Sequence, residues 1–258
     1  MRGRSSAVLL ALAVALLAPS LGVAQYTPKW QVGDWWIVKV WESSMGGDMQ
    51  WLPNRYDVLG VEKVGGADCF VLQEKIADTT ASRDGVRNLF YVRTDNWRIV
   101  RMDMYLRQAG KLLGRRTFNC PEGAFGPTPL HPRLPLFPLD TAGVQDSTFR
   151  DCPAISSWAS LRQFSGPADS ALLNRYLNEP NPSGGRPVQP RGGAMFSVLS
   201  EMGAPRDSIV VPSVYSLQLW SRDYPWRLYE EQGQYAPDGT RQPRSRSWLV
   251  ARGRSGLR

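Results

Sequence analysis

Apolar and polar residues alternate through much of the first half of the chain, with the period of two that is typical of β-strands. In residues 97–107 this alternation places Val100, Met102, Met104 and Leu106 on one face of a half-buried strand. Turn-forming residues bound this segment and its neighbours. Together they predict six strands, at 34–42, 54–64, 67–77, 88–94, 97–107 and 112–119. Short turns favour pairing of sequential strands, so we expect an antiparallel meander.

The first of these strands is apolar on both faces. Trp36, Val38 and Val40 alternate with a second apolar set that contains Trp35 and Ile37. A strand of this kind needs cover on both sides, from a second layer, a helix or a ligand.

The second half of the chain changes character at residue 120. Six prolines between positions 121 and 138 exclude a regular helix or a central strand from most of the segment 120–150. A second Pro/Gly-rich stretch covers 180–193, and the residues between the two stretches predict short helices at 156–164 and 168–178. The remaining pattern predicts strands at 195–202, 213–221, 226–232 and 247–252.

These elements predict a mostly β fold, a curved antiparallel sheet or half-barrel of about ten strands with one or two short helices. We expect one domain over residues 25–252, in which the segment 120–193 is an insertion that packs on or near the concave face. Residues 253–258 would then be a flexible basic tail.

Residues 1–24 have the three parts of a secretory signal peptide. Arg2 and Arg4 precede an unbroken apolar run, and small residues end the segment at Ala24. The run is too short to span a bilayer as a mature helix. We therefore expect an exported, bacterial-type protein that starts near Gln25, is periplasmic or extracellular and has no transmembrane segment.

The formal net charge of +8 comes mostly from arginine. Six arginines cluster between positions 241 and 258, and such a run can contact an anionic surface or an envelope protein. A terminal charge run is more often a solvated chain end. The sequence contains no nucleic-acid-binding motif, and we expect no nucleic acid partner.

The three cysteines predict one disulfide and one free thiol in an oxidising compartment. Cys69 lies inside a strand pattern and should be a buried thiol, whereas Cys120 and Cys152 lie at loop edges and are the predicted pair. With a single histidine and no cysteine pair at metal-site spacing, we expect neither a structural metal nor another cofactor.

No catalytic constellation stands out. His131, the single histidine, lies in the proline-rich segment without a Gly-x-Ser-x-Gly elbow, so nucleophilic catalysis is not indicated. Glu230 and Glu231 are adjacent in a strand pattern and should point to opposite faces. Glycoside hydrolysis needs two facing carboxylates, and acids on separate strands could supply them: Asp34, Asp57, Asp103 and Glu201.

Two tryptophan-rich stretches carry a family resemblance. Residues 30–38, with the pattern Trp-x-x-Gly-Asp-x-Trp, resemble the opening strand of a group of uncharacterised bacterial secreted β-rich proteins. Residues 219–229, with Trp220 and Pro225-Trp226, are similar to their closing strand pair. The strand order of this group resembles the half-barrel fold of periplasmic lipoprotein carriers, which implies an apolar cavity under a helical lid. The proline-rich segment 120–150 departs from that pattern.

The doubly apolar first strand leads us to expect a non-enzymatic protein that binds an apolar or amphiphilic ligand, a lipid or an acyl chain, at the cell envelope. An alternative is a structural or protein-interaction module of the envelope, and a third is a glycan-acting hydrolase. The residues expected to line the ligand pocket are Trp36, Val38, Val40, Val100, Met102, Met104 and Leu106.

Overall fold

The protein is seen in a computed structural model, which describes residues 25–43, 49–77, 85–109, 111–124, 134–135, 137, 139, 143–148, 160–178, 188, 195–206 and 209–255. The strands are β1 (Asp34–Ser43), β2 (Met49–Val64), β3 (Ala67–Ile76), β4 (Gly85–Arg93), β5 (Ile99–Gln108), β6 (Lys111–Ala124), β7 (Gly143–Thr148), β8 (Ser160–Pro167), β9 (Met195–Arg206), β10 (Ile209–Ser221), β11 (Tyr229–Tyr235) and β12 (Arg241–Arg254). A helix, α1 (Ser170–Asn178), lies between β8 and β9.

All twelve strands belong to one antiparallel sheet in the order β6-β5-β4-β3-β2-β1-β12-β11-β10-β9-β8-β7. The sheet therefore consists of an N-terminal meander, β1–β6, and a C-terminal meander, β7–β12. The two meet where β1 pairs with β12, with Asp34 opposite Arg254 and Glu42 opposite Ser245. We call this line of pairing the seam. The sheet is open, with β6 and β7 at its two edges.

The mostly β prediction is confirmed, and the six predicted strands of the N-terminal meander pair sequentially as expected. The C-terminal arginine run differs from the prediction. The strand predicted at 247–252 is present and extends over 241–254, so this part of the run is not a solvated end but a strand at the centre of the sheet, paired with β1 on one side and β11 on the other. Trp248 and Leu249 of this strand point to opposite faces and are both buried. Burial of these two apolar side chains stabilises the strand in the sheet, although most of its arginines are exposed. Gly253 and Arg254, placed in the predicted tail, belong to β12.

The predicted insertion is part of the sheet and its core. The helix expected at 156–164 is wrong over 160–164, because residues 160–167 form β8 and pair with β7 and β9, while residues 156–159 lie outside the described residues. The helix expected at 168–178 is confirmed as α1, whose first turn is capped by Asp169 Oδ1, which accepts a hydrogen bond from the Leu172 amide at 2.8 Å. From the proline-rich stretch, Leu134, Phe137 and Leu139 are buried in the main core.

One face of the sheet carries an aromatic core that joins the two meanders. Phe70 of β3 and Trp220 of β10 are five strand spacings apart, about 24 Å in a flat sheet. Only two rings separate them, because Trp97 packs on Phe70 at 5.7 Å and on Phe137 at 5.6 Å, and Phe137 packs on Trp220 at 5.7 Å. The sheet therefore curves with this face inside, and we call it the inner face.

The outer face is covered differently in the two meanders. Over the C-terminal meander lies α1, whose Tyr176 packs on Tyr229 of β11 and whose Leu172 is fully buried. Over the N-terminal meander lie arginine side chains: the Arg55 guanidinium sits 4.7 Å from the ring centre of Trp35, and Arg101 sits 4.7 Å from that of Tyr91.

Candidate functional site

The residues predicted on the first strand to line an apolar pocket belong to the packed core. Trp36, Val38 and Val40 are buried on the inner face. The cavity beside Val38 and Val40 measures about 10 Å³, room for roughly one water molecule. Its wall includes Arg227 and Glu230, so it is polar as well as small.

The four predicted lining residues of β5 do not share one environment. Met102 is buried in the main core and Met104 packs against it. Val100 instead belongs to a small cluster with Cys69, Val71 and Tyr91. The strand pairing slips between Ile99 and Arg101, so the alternation is broken at Val100 and the predicted common face is wrong there. Leu106, near the end of the strand, is 47% exposed.

Charged groups are buried inside the C-terminal meander. The Arg227 guanidinium donates to Glu230 at 2.6 Å, and both side chains are at most 3% exposed. Ser216 Oγ donates to the same carboxylate at 2.7 Å, and Gln218 Nε2 donates to it at 3.2 Å. Glu231 points to the outer face, where Arg175 of α1 pairs with it at 2.5 Å. The two adjacent glutamates therefore face opposite sides, as the strand alternation predicts.

A larger cleft opens at one end of the seam, with a volume of about 380 Å³. This size is within the range of small-molecule sites. We call it the seam cleft. Its lining residues are Lys29, Asp34, Arg222, Asp223, Tyr224, Pro225, Arg252, Gly253 and Arg254.

The first wall of the seam cleft is built by the Trp-x-x-Gly-Asp stretch. Gly33 has a φ of +90°, and a Cβ there would lie 2.7 Å from the carbonyl oxygen of Ser255, so the position requires glycine. Asp34 Oδ2 accepts a hydrogen bond from the Gln31 amide at 2.8 Å, and Asp34 Oδ1 accepts one from Arg254 Nε at 2.7 Å. This stretch therefore closes the turn before β1 and ties it to the end of β12.

The second wall is the connection between β10 and β11. Trp30 Nε1 donates to the Pro225 carbonyl at 2.8 Å, and the Tyr26 hydroxyl donates to the Tyr224 carbonyl at 2.7 Å. The Trp226 ring stacks on Trp36 at 5.0 Å in the core. The two tryptophan-rich stretches that carry the family resemblance thus meet each other, nearly 200 residues apart in the chain.

Basic side chains dominate the cleft. Arg252 lies 4.1 Å above the ring centre of Tyr224 and donates to the Asp223 carbonyl at 3.0 Å. Burial raises the pKa of Tyr26, and the positive charge of Arg222 opposes that rise. Four cationic side chains line the cleft against two carboxylates, and Asp34 is already paired with Arg254. Lys29 is exposed and has no ion pair with any residue the structure describes.

This arrangement is suited to holding an anion. Arginine and lysine bind carboxylate, sulfate and phosphate oxygens through charge-assisted hydrogen bonds. Across the described ranges no group of three or more histidine, cysteine or acidic side chains has the geometry of a metal site. His131 lies outside the described residues.

The four acids considered for glycan hydrolysis have separate partners. Asp34 binds Arg254 and Asp57 binds Arg55 and Lys75. Asp103 binds Arg101 and Arg115, and Glu201 accepts a hydrogen bond from the Tyr235 hydroxyl. Each carboxylate therefore has a structural contact of its own, and these contacts give no support to a catalytic pair.

The predicted disulfide is only partly within the described residues. Cys69 is a free and buried thiol, and burial raises its pKa. Cys120 is disulfide-bonded. Its predicted partner, Cys152, lies outside the described residues, as does the signal peptide predicted at 1–24, so both remain predictions. Within the described ranges, no helix combines the length and apolar character needed to cross a membrane.

Comparison with known proteins finds no matching family model and no matching curated protein. Two solved structures are similar. One, a candidate exported protein with a YmcC-like fold from Bacteroides fragilis, is 11% identical, with a TM-score of 0.35 over 90% of this chain and 100% of its own. The other, a candidate lipoprotein from Parabacteroides distasonis, is 10% identical, with a TM-score of 0.34 over 86% and 96%. A likeness this low carries no argument about ligand or location.

Proposed function

We propose that the protein is exported and binds, without chemical conversion, an anionic group of an envelope ligand in the seam cleft. The observation that carries this proposal is that four cationic side chains line the seam cleft, which has a volume of about 380 Å³. The leader-like residues 1–24 support export.

The ligand class follows from what each part of the molecule can accept. Described aromatic side chains pack together on the curved inner face, and the cavity beside Val38 and Val40 holds roughly one water. A buried acyl chain therefore has no support there. The charged head of an amphiphile, or a small organic anion, matches the seam cleft, where each hydrogen bond to a charged group contributes about 1.5–3 kcal/mol.

The test is a calorimetric titration of the protein without its leader, using octyl phosphate and octylphosphocholine below their micelle concentrations. We expect saturable binding of octyl phosphate and at least about ten-fold weaker binding of the zwitterionic analogue. Added salt should weaken the phosphate complex, because the cleft is open to water.

The matched variants separate the cleft from general surface charge. Lys29→Gln/Arg222→Gln removes two lining cations while Arg252 stays on Tyr224 and Arg254 stays on Asp34, and it should weaken octyl phosphate binding about ten-fold or more. Arg244→Gln removes an exposed cation from the same strand as Arg252, outside the cleft, and should bind as the wild type does. Equal binding by all three proteins would refute the proposal. Saturable binding of a neutral hydrophobic dye, unaffected by the cleft variant, would restore the apolar-pocket hypothesis.

A further inference from the structure

The hairpin formed by β5 and β6 carries exposed side chains at one edge of the sheet. Every residue from Lys111 to Thr117 is exposed, although the segment is paired with β5. Strand residues alternate between faces, so exposure of seven consecutive residues means that neither face of this part of the hairpin is covered by described residues.

Three leucines are exposed at this end, and they point in more than one direction. Leu106, Leu112 and Leu113 are 47%, 54% and 58% exposed. Leu106 lies opposite Gly114, whereas Leu112 lies opposite Arg107, the next residue of β5, so Leu106 and Leu112 are on opposite faces. Leu113 is the extra residue at the slip in pairing. A flat protein partner would cover the leucines on one face of the hairpin. A bilayer interface, which surrounds an inserted hairpin, would cover all three leucines.

The charged residues of the hairpin sequence at this end have one sign. Residues 104–117 contain Arg107, Lys111, Arg115 and Arg116 and no acidic residue. The nearest acid in the sequence, Asp103, is fully buried and bound to Arg101 and Arg115. Lys111 has no ion pair with any described residue. Exposed leucines beside the exposed cations Lys111 and Arg116, which have no ion pair with a described residue, match a bilayer surface that contains anionic phospholipid.

We propose that the β5–β6 hairpin is a membrane contact, which inserts Leu106, Leu112 and Leu113 at the interface of an anionic bilayer while its cations bind the headgroups. Basic residues near such a surface each strengthen binding about five-fold, and an inserted leucine adds about ten-fold or more. This contact is separate from the seam cleft and does not depend on the function proposed there.

Vesicle flotation tests the proposal. The full protein without its leader should float with phosphatidylglycerol–phosphatidylcholine vesicles and only weakly with pure phosphatidylcholine vesicles. Leu112→Asn/Leu113→Asn should lower the partition coefficient at least about ten-fold. Leu59→Asn, which changes a leucine of β2 that is 49% exposed, is the matched control and should float as the wild type does. Lys111→Gln/Arg116→Gln should weaken flotation and flatten its salt dependence.

Three results would overturn the proposal: no flotation of the wild type with anionic vesicles, unchanged flotation of the double leucine variant, or loss of flotation in Lys29→Gln/Arg222→Gln with the hairpin intact. The edge strand β6 offers a second reading, pairing with another copy of the chain. If light scattering shows an oligomer that the leucine variant dissolves while flotation stays the same, the hairpin is a protein interface instead.

Discussion

The two meanders have the same number of strands and similar pairing, yet they are stabilised in different ways. In the C-terminal meander, β10 is buried from Tyr215 to Ser221 and β11 from Tyr229 to Gly233, so both faces are covered. In the N-terminal meander the outer face is covered mainly by arginines lying on aromatic rings, and β6 is exposed from Lys111 to Thr117.

Because of this difference, the C-terminal meander contains the most deeply buried strands, whereas the N-terminal meander has an exposed edge strand that other molecules can contact. The Arg227–Glu230 pair of the C-terminal meander is dehydrated, so its two charges must be paired within the fold. Lys111 and Arg116 of the N-terminal meander are exposed to water and are available to outside partners. The seam cleft lies where the two halves join and takes its lining from both ends of the described chain.

The sharpest test of this contrast removes one arginine from each meander. Arg227→Met leaves the Glu230 carboxylate buried without its partner and should lower the free energy of unfolding by about 3–5 kcal/mol. Arg55→Met breaks a pair with Asp57 in which the arginine is 30% exposed, and should cost about 1 kcal/mol or less. Urea unfolding followed by tryptophan fluorescence measures both values.

A double variant checks whether the buried Glu230 carboxylate causes the loss of stability in Arg227→Met. Arg227→Met/Glu230→Leu removes both charges and should regain much of the loss, because no uncompensated carboxylate remains. The contrast between the meanders fails if Arg227→Met costs no more than Arg55→Met.

A glycine in each meander gives a second, smaller test. A Cβ at Gly233 of β11 would lie 1.9 Å from the Gln242 carbonyl oxygen, so Gly233→Ala should destabilise the protein by about 1–3 kcal/mol. At Gly60 of β2 no atom lies within 4 Å of the same position, and Gly60→Ala should raise stability by about 0.4–1 kcal/mol. Relative to the wild type, we expect the melting temperature to fall in Gly233→Ala and to rise in Gly60→Ala. A fall of equal size in both variants would contradict the difference in packing.

The smallest expected effect concerns acid stability on the N-terminal outer face. Burial raises the pKa of Asp103, but hydrogen bonds from Arg101, Thr117 and Arg115 lower it more, so its net pKa lies below the usual value. A lowered folded-state pKa contributes stability above the unfolded value, near 3.9, and that stability is lost as the pH falls through the folded pKa. Unfolding free energies of the wild type should therefore fall in this acid range.

Asp103→Asn should flatten this acid dependence, because the amide does not titrate there. Asp68→Asn, which changes an exposed acid paired with Lys63, serves as the control. The same acid slope in the wild type and in Asp103→Asn would contradict the assignment.

Local pattern was enough to predict the N-terminal meander, because each strand pairs with its neighbour in sequence and short turns join them. Local pattern did not predict strand pairing between segments that are far apart in the sequence. A strand was predicted at 247–252, but its extension back to Arg241 and its pairing with β1, some 220 residues away, were not. Residues 160–164 were expected to be helical because their pairing with β9 is not visible locally.

The site was less predictable than the fold. The alternation on β5 held at Met102 but broke at Val100, because one slip in pairing reverses the faces. The first strand is doubly apolar and lies at the centre of the sheet, between β2 and β12. The Trp-x-x-Gly-Asp stretch indicated a family resemblance and a candidate acid, Asp34, but not the seam cleft. Its role there depends on Arg254 and Pro225, which no local pattern connects to it.

The seam also sets the order in which the sheet can be completed. Its two strands are the first and last of those described, so the middle of the sheet closes only after β12 has been synthesised. Until that moment β1 and β11 each present a row of unpaired amides and carbonyls, the state most open to aggregation and most in need of a chaperone. A nascent chain halted before Arg241 would carry that vulnerability permanently.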